Sequence, residues 1–328
     1  MAATGPGSIR GVLAFGGIAG GYRCVAHLTR RRWRCAQRRG GAGSTPSSAG
    51  QSTSKCPTSN CRPCVPQSRD AAGSRHPASA NVILQPGAQA VADILYEGKA
   101  KIIYPTPDPA IVLAVFKDDA TAFNAQKRGT IPGKGTVNAT VSAKLFLLLE
   151  RSGVPTHYID QPAANQLLFR RLKMIPLEVV VRNIVAGSLV KRTGLASGTV
   201  LGEAIVEFYY KNDALGDPLL NDEHILKVLA TVDALQLAEL RRSAMQVNAI
   251  LSAFYHECGI RLVDFKLEYG YDGAGQLQLG DELSPDNCRL WTLKEDRILD
   301  KDRFRFDMGE VEGAYQEVLA RVVAKAGP

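Results

Sequence analysis

The chain has little cysteine outside its first ninety residues. Five of its seven cysteines lie within residues 1–90, and residues 91–328 contain only Cys258 and Cys288. This scarcity excludes a disulfide framework for residues 91–328 and suits a reducing compartment. The cysteine spacing within residues 56–64 matches part of an iron–sulfur motif. No fourth ligand follows in register, however, and the surrounding Ser, Pro and Arg provide no core for a cluster.

Acidic residues are almost absent from the same first ninety residues. They hold twelve Lys and Arg against one acid, Asp70, although the whole chain carries a net charge of +8. The basic character therefore belongs to this leader, defined as residues 1–90, and the remainder is slightly acidic. An Arg-rich, Ser-rich and acid-poor segment cannot bury enough apolar surface to fold, so we predict that the leader is disordered.

The composition of the leader matches an organellar transit peptide. On that interpretation the protein resides in a plastid or another organelle; otherwise we expect it in the cytoplasm. A misassigned start codon or a non-functional extension is a second interpretation, and binding of nucleic acid by the arginine cluster at residues 30–34 is a third. Because only Trp33 interrupts that cluster and no recognisable module follows, we expect no nucleic-acid partner.

Long hydrophobic runs and histidine clusters are missing as well. The apolar run at residues 12–18 is too short to cross a bilayer, so we expect no membrane association. His157, His224 and His256 share no spacing typical of a zinc site, and no Ser-His-Asp or Cys-His arrangement can be argued. The chemistry should therefore depend on carboxylates, lysines, arginines and a hard cation.

The hydrophobic patterning of residues 91–328 predicts an α+β fold. Short alternating segments bounded by Pro and Gly predict strands at residues 94–96, 102–104, 111–116, 156–159, 166–169 and 177–182. Apolar residues at helical spacing predict helices at residues 137–151, 222–230, 233–258 and 308–326. We expect a small β-rich lobe over residues 91–182 and a larger mixed lobe over residues 183–328, with a cleft between them.

The segment at residues 262–270 places three charges on one face of a predicted strand. Asp264, Lys266 and Glu268 alternate with apolar residues, and a hairpin turn near residues 271–275 leads to a second acidic segment at residues 279–286. Two carboxylates flanking a lysine at period two are typical of a site that binds a cation and an anion together. That combination points to magnesium and phosphate.

Two glycine-containing turns could approach phosphate. Gly98 lies between two predicted strands and is followed by Lys99 and Lys101, a pattern also found in solvated surface turns. Residues 129–135 contain a Gly-Lys-Gly sequence before a helix, but they lack the spacing and the hydroxyl residue of a Walker motif.

A third set of residues is suited to an anionic substrate. Arg182 ends a buried apolar strand and is followed by Ser188 and by the bases at residues 191–192. Arginine can clamp a carboxylate or phosphate with two parallel hydrogen bonds, although structural ion pairing is the alternative for Arg182 alone. Lys211 and Asp213 follow another apolar run and are candidates for contact with a nucleotide or substrate.

Eight ordered motifs resemble those of the phosphoribosylaminoimidazole-succinocarboxamide synthase family, the SAICAR synthetases of purine biosynthesis. They are LYEGKAK at 95–101, DATAFN at 119–124, the segment 176–192 with AGSLVKR, KNDALGDP at 211–218, LVDFKLEYG at 262–270, GDELSPD at 280–286, RLW at 289–291 and DKDRFR at 300–305. The resemblance covers residues 93–325. It implies a two-lobe fold whose N-terminal lobe is similar to the small lobe of protein kinases, with ATP bound between the lobes.

The resemblance also implies an activity and roles for individual residues. The expected reaction joins L-aspartate to 5-amino-1-(5-phosphoribosyl)imidazole-4-carboxylate with ATP, giving SAICAR, ADP and phosphate. The implied catalytic residues are Lys266 and Asp264; the ATP-binding residues are Lys99, Lys101, Lys211 and Asp213; the magnesium ligands are Glu268 and Asp281; and the substrate-binding residues are Arg182, Ser188, Asp286 and Arg289. The expected cofactors are ATP and Mg²⁺, the expected partners are small molecules, and a homodimer is possible.

Two other classes of function remain as alternatives. A kinase-like phosphotransferase could use the same small lobe and magnesium carboxylates with an alcohol acceptor, but it needs a His-Arg-Asp-like loop and an Asp-Phe-Gly sequence, and neither is present. A non-catalytic nucleotide-binding or RNA-binding protein predicts loss of Lys266, Glu268 or Asp281. All three residues are retained.

Overall fold

The structure is a computed structural model, and it describes residues 93–122 and 126–327. The described residues belong to one compact unit. The leader, with its predicted disorder and transit-peptide role, lies outside the described residues, as do residues 123–125.

Antiparallel strands and helices of very different lengths make up the described part of the chain. The strands are β1 Tyr96–Glu97, β2 Lys101–Pro105, β3 Ile111–Phe116, β4 Asp119–Ala122, β5 Lys127–Thr130, β6 Tyr158–Ala163, β7 Gln166–Arg170, β8 Lys173–Ile184, β9 Val200–Tyr210, β10 Leu219–Leu220, β11 Ile260–Tyr271, β12 Leu277–Gly280 and β13 Cys288–Thr292. The α-helices are α1 Lys134–Arg151, α2 Ser188–Thr193, α3 Ala234–Glu257, α4 Asp302–Arg305 and α5 Val311–Ala326. Short 3₁₀ and π-helical turns lie at Asp213–Leu215 and His224–Leu229.

Two larger sheets organise these strands. The first has five strands in the order β1-β2-β3-β7-β6, and α1 packs against β3, β6 and β7. The second has the order β10-β9-β8-β11-β12. Strand β13 also pairs with β11, on the same edge as β12 but nearer the start of the strand. A single bridge between Thr156 and Leu279 connects the segment before β6 to β12. The change from one sheet to the other falls at residues 171–172.

Strand β11 lies inside the second sheet, with β8 along one edge and β12 and β13 along the other, and most of its residues are buried. One face carries Phe265 and Leu267, which with Val179 and Val181 of β8 form part of the apolar core. Full burial of such side chains stabilises the fold by about 1.5–3 kcal/mol each. Helix α3 packs against β8, β9 and β11. The packing of its apolar face therefore fixes the position of the charged face of β11.

The helix α3 is well explained by its sequence. Asp233 caps its N-terminus by accepting from the backbone N–H of Gln236, and the Gln236 side chain accepts in return from the N–H of Asp233. This capping box satisfies two donors that the first turn would leave unpaired. Gly259, with φ +72°, lies just beyond the helix, so the predicted segment at residues 233–258 is matched almost residue for residue.

Other boundaries differ from the expectations for local reasons. Helix α1 begins at Lys134 rather than residue 137, because Gly133 adopts φ +75° and Asp118 accepts from the N–H groups of Gly133 and Gly135. Helix α5 begins at Val311 because Gly309 and Glu310 both have positive φ. The predicted helix near residues 222–230 is a π-helical turn, and neither β13 nor the full length of β9 was expected.

Among the helices of the described residues, none is long and apolar enough to cross a bilayer.

His157 is enclosed in the aromatic core of the first sheet. Its ring stacks on Phe169 with centroids 3.7 Å apart and meets Phe146 edge-on at 5.4 Å. Burial, with a smaller contribution from the Lys101 ammonium, lowers the pKa of His157 from 6.5 to about 3. Since the folded-state pKa lies below the unfolded value, the contribution of His157 to the free energy of unfolding is fully present above pH 6.5. This contribution is lost progressively as the pH falls from 6.5 toward 3.

We therefore predict that His157→Phe weakens the acid sensitivity of folding. Between pH 7 and pH 5, protonation of His157 in the unfolded chain lowers the free energy of unfolding of the wild-type protein by about 2 kcal/mol. The Phe variant does not lose this stability. Urea denaturation at both pH values measures the difference, with the exposed His256 changed to Phe as the matched control. An equal loss of stability in wild type and His157→Phe would contradict the prediction.

Candidate active site

A cluster of lysines and carboxylates surrounds the middle of β11, and we call it the acidic cluster. Its members are Lys101, Lys211, Lys266, Glu178, Glu268, Asp281 and Glu282. Lys266 is central, because its Nζ lies 2.6 Å from Glu268, 3.1 Å from Glu178 and 3.5 Å from Asp281. The register of the sheet brings these groups together, since Glu268 pairs with Glu178 on β8 and with Gly280 on β12.

The ionisation of this cluster follows from burial opposed by charge. Burial alone would lower the pKa of Lys266, but Glu268, Asp281 and Glu178 outweigh it and raise that pKa well above its usual value. Burial would likewise raise the pKa of Asp281, yet Lys101, Lys266 and Lys211 hold it far below its ordinary range. Lys266 is therefore an ammonium and Asp281 a carboxylate at neutral pH.

Asp281 has an unusual backbone. It follows β12 directly and adopts φ +60°, a left-handed conformation that non-glycine residues rarely take. In this conformation its carboxylate lies 2.5 Å from the Nζ of Lys101, which belongs to the first sheet. The contact joins the two sheets at the site. Strain of this kind is often found at functional positions.

The predicted magnesium ligands are compatible with that ion. Glu268 and Asp281 both contact the Lys266 ammonium, so two carboxylates with hard oxygen atoms lie near each other. The described residues contain no set of three His, Cys, Asp or Glu arranged as a complete metal site. Magnesium commonly takes one or two protein carboxylates and completes its shell with phosphate oxygens and water, and this donor set fits that mode.

A second cluster lies at the other end of the charged face of β11, and we call it the arginine cluster. It contains Arg182, Arg192, Arg289 and Arg305 with Glu207, Asp264, Asp302, Ser188 and Tyr209. Asp264 is shared between two arginines, with its Oδ2 2.7 Å from Arg182 and 2.8 Å from Arg289. The register produces this contact, because Asp264 pairs with Arg182 on β8 and with Arg289 on β13.

Arg182 is fixed along its whole guanidinium. Its Nε donates to Glu207 at 2.6 Å, while Nη2 donates to Ser188 at 3.0 Å and to Tyr209 at 3.1 Å. Close approach of Arg289 requires glycine at position 187, where φ is +54° and an added Cβ would lie 2.5 Å from Arg289 Nη2. Gly187 and the predicted Ser188 are thus both part of the site.

The two clusters have opposite charge excess. In the acidic cluster three lysines face four carboxylates, whereas in the arginine cluster four arginines face three carboxylates. One end of the site is accordingly suited to an added cation and the other to an added anion. A cavity of about 290 Å³ adjoins both, and its lining includes Lys266, Arg182, Arg289 and Arg305.

The remaining predicted residues lie in different settings. Lys99 and Asp213 form an exposed pair 2.8 Å apart, and Lys211 contacts Glu268. Asp286 lines the cavity but is almost fully buried and bonded to side chains of the protein. Several site residues were not predicted, namely Glu178, Glu207, Tyr209, Glu282, Asp302 and Arg305. For Glu178 a signal existed, because it lies four residues before Arg182 and so on the same strand face.

Comparison with known proteins places this chain in a family. Residues 94–322 match the family model described as SAICAR synthetase. The chain belongs to the SAICAR synthetase family. The phosphoribosylaminoimidazole-succinocarboxamide synthase of Gloeobacter violaceus is 96% identical over 247 residues, which are 75% of this chain and 100% of that relative. The resemblance found in the sequence is therefore confirmed.

Solved structures support the same assignment of the fold. The phosphoribosylaminoimidazole-succinocarboxamide synthase of Ehrlichia chaffeensis is 41% identical, with a TM-score of 0.69 over 72% of this chain and 100% of that one. A SAICAR synthetase solved in complex with ADP is 48% identical, with a TM-score of 0.68 over 71% of this chain and 99% of that one. The α+β SAICAR synthetase fold is confirmed, and these relatives give no support to a kinase-like alternative.

Proposed function

We propose that the protein ligates L-aspartate to 5-amino-1-(5-phosphoribosyl)imidazole-4-carboxylate at the expense of ATP, in purine biosynthesis. The observation that carries this proposal is that two clusters lie along one strand. The acidic cluster around Lys266 is suited to bind a cation, and the arginine cluster around Asp264 is suited to bind an anion. The Gloeobacter and Ehrlichia relatives bear the name of this enzyme, and another family member was solved with ADP.

The chemistry requires activation of a carboxylate before an amine attacks it. A carboxylate oxygen of the imidazole nucleotide attacks the γ-phosphorus of ATP, the bond to the β-phosphate oxygen breaks, and ADP leaves. The resulting acyl phosphate is attacked by the amine of aspartate, which forms the amide, loses a proton and expels phosphate. Every participant is anionic, so the protein must supply fixed positive charge.

The residues of the two clusters are suited to these steps. Lys266 stays protonated and lies beside the cavity, where it could neutralise charge on the transferring phosphoryl group. Lys101 and the more exposed Lys99 would contact the phosphates of ATP. Glu268 and Asp281 would hold magnesium, which when bound supplies charge neutralisation to the phosphates. Lys211 and Asp213 lie beside the same end of the site.

The arginine cluster is suited to the imidazole nucleotide. Arg182 and Arg289 are held rigidly by Asp264, so their fixed donors can orient carboxylate or phosphate groups with little loss of side-chain entropy. Ser188 lies against Arg182 and offers a hydroxyl at the same point. Asp264 acts in this arrangement by aligning both arginines.

The function is tested by measuring ADP formation with the purified full-length protein. We expect ADP to appear only when ATP, magnesium, imidazole carboxylate nucleotide and L-aspartate are all present, with SAICAR formed in equal amount. ADP formation without aspartate, or with an alcohol acceptor such as serine in its place, would favour phosphotransfer and overturn the proposal.

The leader and the quaternary structure extend the proposal. We propose that residues 1–90 direct import into a plastid or another organelle, supported by their Arg-rich, acid-poor composition. Imaging of a fluorescent protein fused to these residues tests it, and a diffuse cytosolic signal would refute it.

We also propose that the protein forms a homodimer. A monomer mass measured by light scattering of the purified protein would exclude the dimer.

A further inference from the structure

Helix α1 presents a stripe of polar side chains to the interior. Lys134, Asn138 and Ser142 are spaced four residues apart, so they lie on one face of the helix. All three have no solvent exposure. A fully buried lysine is rare without a partner and a functional or structural reason. Two of these side chains, Lys134 and Ser142, contact the segment that follows β12.

The stripe packs against the segment between β12 and β13, residues 281–287, which we call the site loop. Ser142 Oγ donates to the carbonyl of Leu283 and accepts from its N–H, both at 3.1 Å. Two turns earlier along the stripe, Lys134 Nζ lies 3.1 Å from Oδ2 of Asp286. Helix α1 therefore grips the site loop at two points.

Asp286 is fully engaged by side chains of the protein. Its Oδ2 also lies 3.4 Å from Nζ of Lys301, and its Oδ1 accepts from the hydroxyl of Tyr315 at 2.7 Å. Its side chain is only 4% exposed. Burial would raise its pKa, but Lys301 and Lys134 outweigh that effect and hold it below its ordinary value. A substrate could contact the carboxylate only by displacing one of these partners.

The anchored end of the site loop is attached to Lys266. The residue after Asp286 is Asn287, whose carbonyl accepts from the N–H of Lys266 at 2.9 Å and whose side-chain amide donates to the carbonyl of Lys266 at 3.3 Å. The other end of the loop is Asp281, the neighbour of Lys266 in the acidic cluster. Displacement of the loop would move groups on both sides of Lys266.

We propose that Lys134 is a positioning residue: through its buried ion pair with Asp286 it fixes the site loop and thereby Lys266 and Asp281, and Asp286 is the anchor of that loop. The inference rests on the proposed function for its kinetic consequences. It assigns Asp286 a different role from the substrate contact expected from the sequence. Arg289, whose side chain is 19% exposed and lines the cavity, is then better placed than Asp286 to contact the imidazole nucleotide.

The test compares Lys134→Met, Asp286→Asn and the double variant in the full-length protein. Each single variant should lower kcat about 10- to 100-fold, the range for loss of a group that orients a reacting residue, while KM for the imidazole nucleotide changes less than about twofold. The double variant should be no worse than Asp286→Asn, because both changes break the same contact. Lys144→Met, on the same helix but bonded to the carbonyl of Gly327, is the matched control and should retain wild-type kinetics.

Three results would overturn the proposal. They are wild-type kcat in Lys134→Met, additive losses in the double variant, or a rise in KM for the nucleotide in Asp286→Asn alone, which would mean direct contact. Because removal of one partner of a buried pair can prevent folding, the double variant, which removes both charges, provides the decisive kinetics if Lys134→Met does not fold. Wild-type kcat in the double variant would then refute the positioning role.

Amide hydrogen exchange separates this inference from the proposed function. In the unliganded Asp286→Asn protein, the amides of residues 283, 284 and 286–288 should exchange faster than in wild type, while those of β3 should not change. Unchanged exchange in the site loop would refute the anchor whatever the enzyme's activity. Faster exchange in a protein that forms no ADP would leave the anchor in place and refute the proposed function alone.

Discussion

Replacing Lys266 with methionine is expected to lower kcat by about 100-fold or more, the range for loss of one preorganised charge at a reacting centre. The ammonium touches three carboxylates and adjoins the cavity that both clusters share. Removing it leaves Glu178, Glu268 and Asp281 to repel one another and the incoming phosphates. The effect should fall on kcat rather than on KM for the imidazole nucleotide, because Arg182 and Arg289 remain in place.

The measurement is steady-state ADP and SAICAR formation at saturating substrates. Lys227→Met is the matched control, since Lys227 is an exposed lysine that pairs with Glu223 four residues before it, and it should retain wild-type activity. Circular dichroism establishes that both variants are folded. A folded Lys266→Met protein with more than about a tenth of wild-type kcat would rule out the proposed role of this residue.

Asp264→Asn is expected to reduce both stability and affinity for the imidazole nucleotide. Asp264 is buried and accepts from Arg182 and Arg289, whereas an asparagine would turn an amide N–H toward one of these donors. Loss of one partner from a buried ion pair typically costs about 3–5 kcal/mol of unfolding free energy. Since the released arginines also lose their fixed orientation, KM for the nucleotide should rise at least about tenfold.

Urea denaturation and nucleotide titration measure the two effects. Asp213→Asn makes the same substitution in an exposed pair with Lys99, where the side chain is 73% exposed, and its stability should change by no more than about 1 kcal/mol. Equal stability losses in the two variants would contradict a buried arginine cluster. A destabilised Asp264→Asn protein with unchanged KM would confine Asp264 to a structural role.

The sequence was most informative where chemistry is local. Alternation along β11 placed Asp264, Lys266 and Glu268 on one face, and the structure has them there. The capping box of α3 and the length of β3 also follow from neighbouring residues, whose hydrogen bonds and burial pattern are set within a few positions.

The sequence was least informative where partners come from distant segments. Glu207 and Tyr209 lie in β9 within a mostly apolar segment, so no pattern in the sequence indicated that they belong to the site. Pairing between β8 and β9 brings them to Arg182. Arg305 and Asp302 belong to a four-residue helix that no periodicity reveals. Lys134 was visible in a glycine-rich turn, but its carboxylate partner is 152 residues away.

The family, the α+β class, the motifs that carry the site and the charged alternation of β11 could all be predicted from residue order alone. These depend on residue order and on side-chain period, which are properties of short segments. Which charges meet depends on the folded arrangement: Lys266 contacts three carboxylates, Asp264 is shared by two arginines, and Asp286 is bound by side chains of α1 and α5. Strand register and helix packing set those distances, and the strength of every interaction at the site depends on them together with burial.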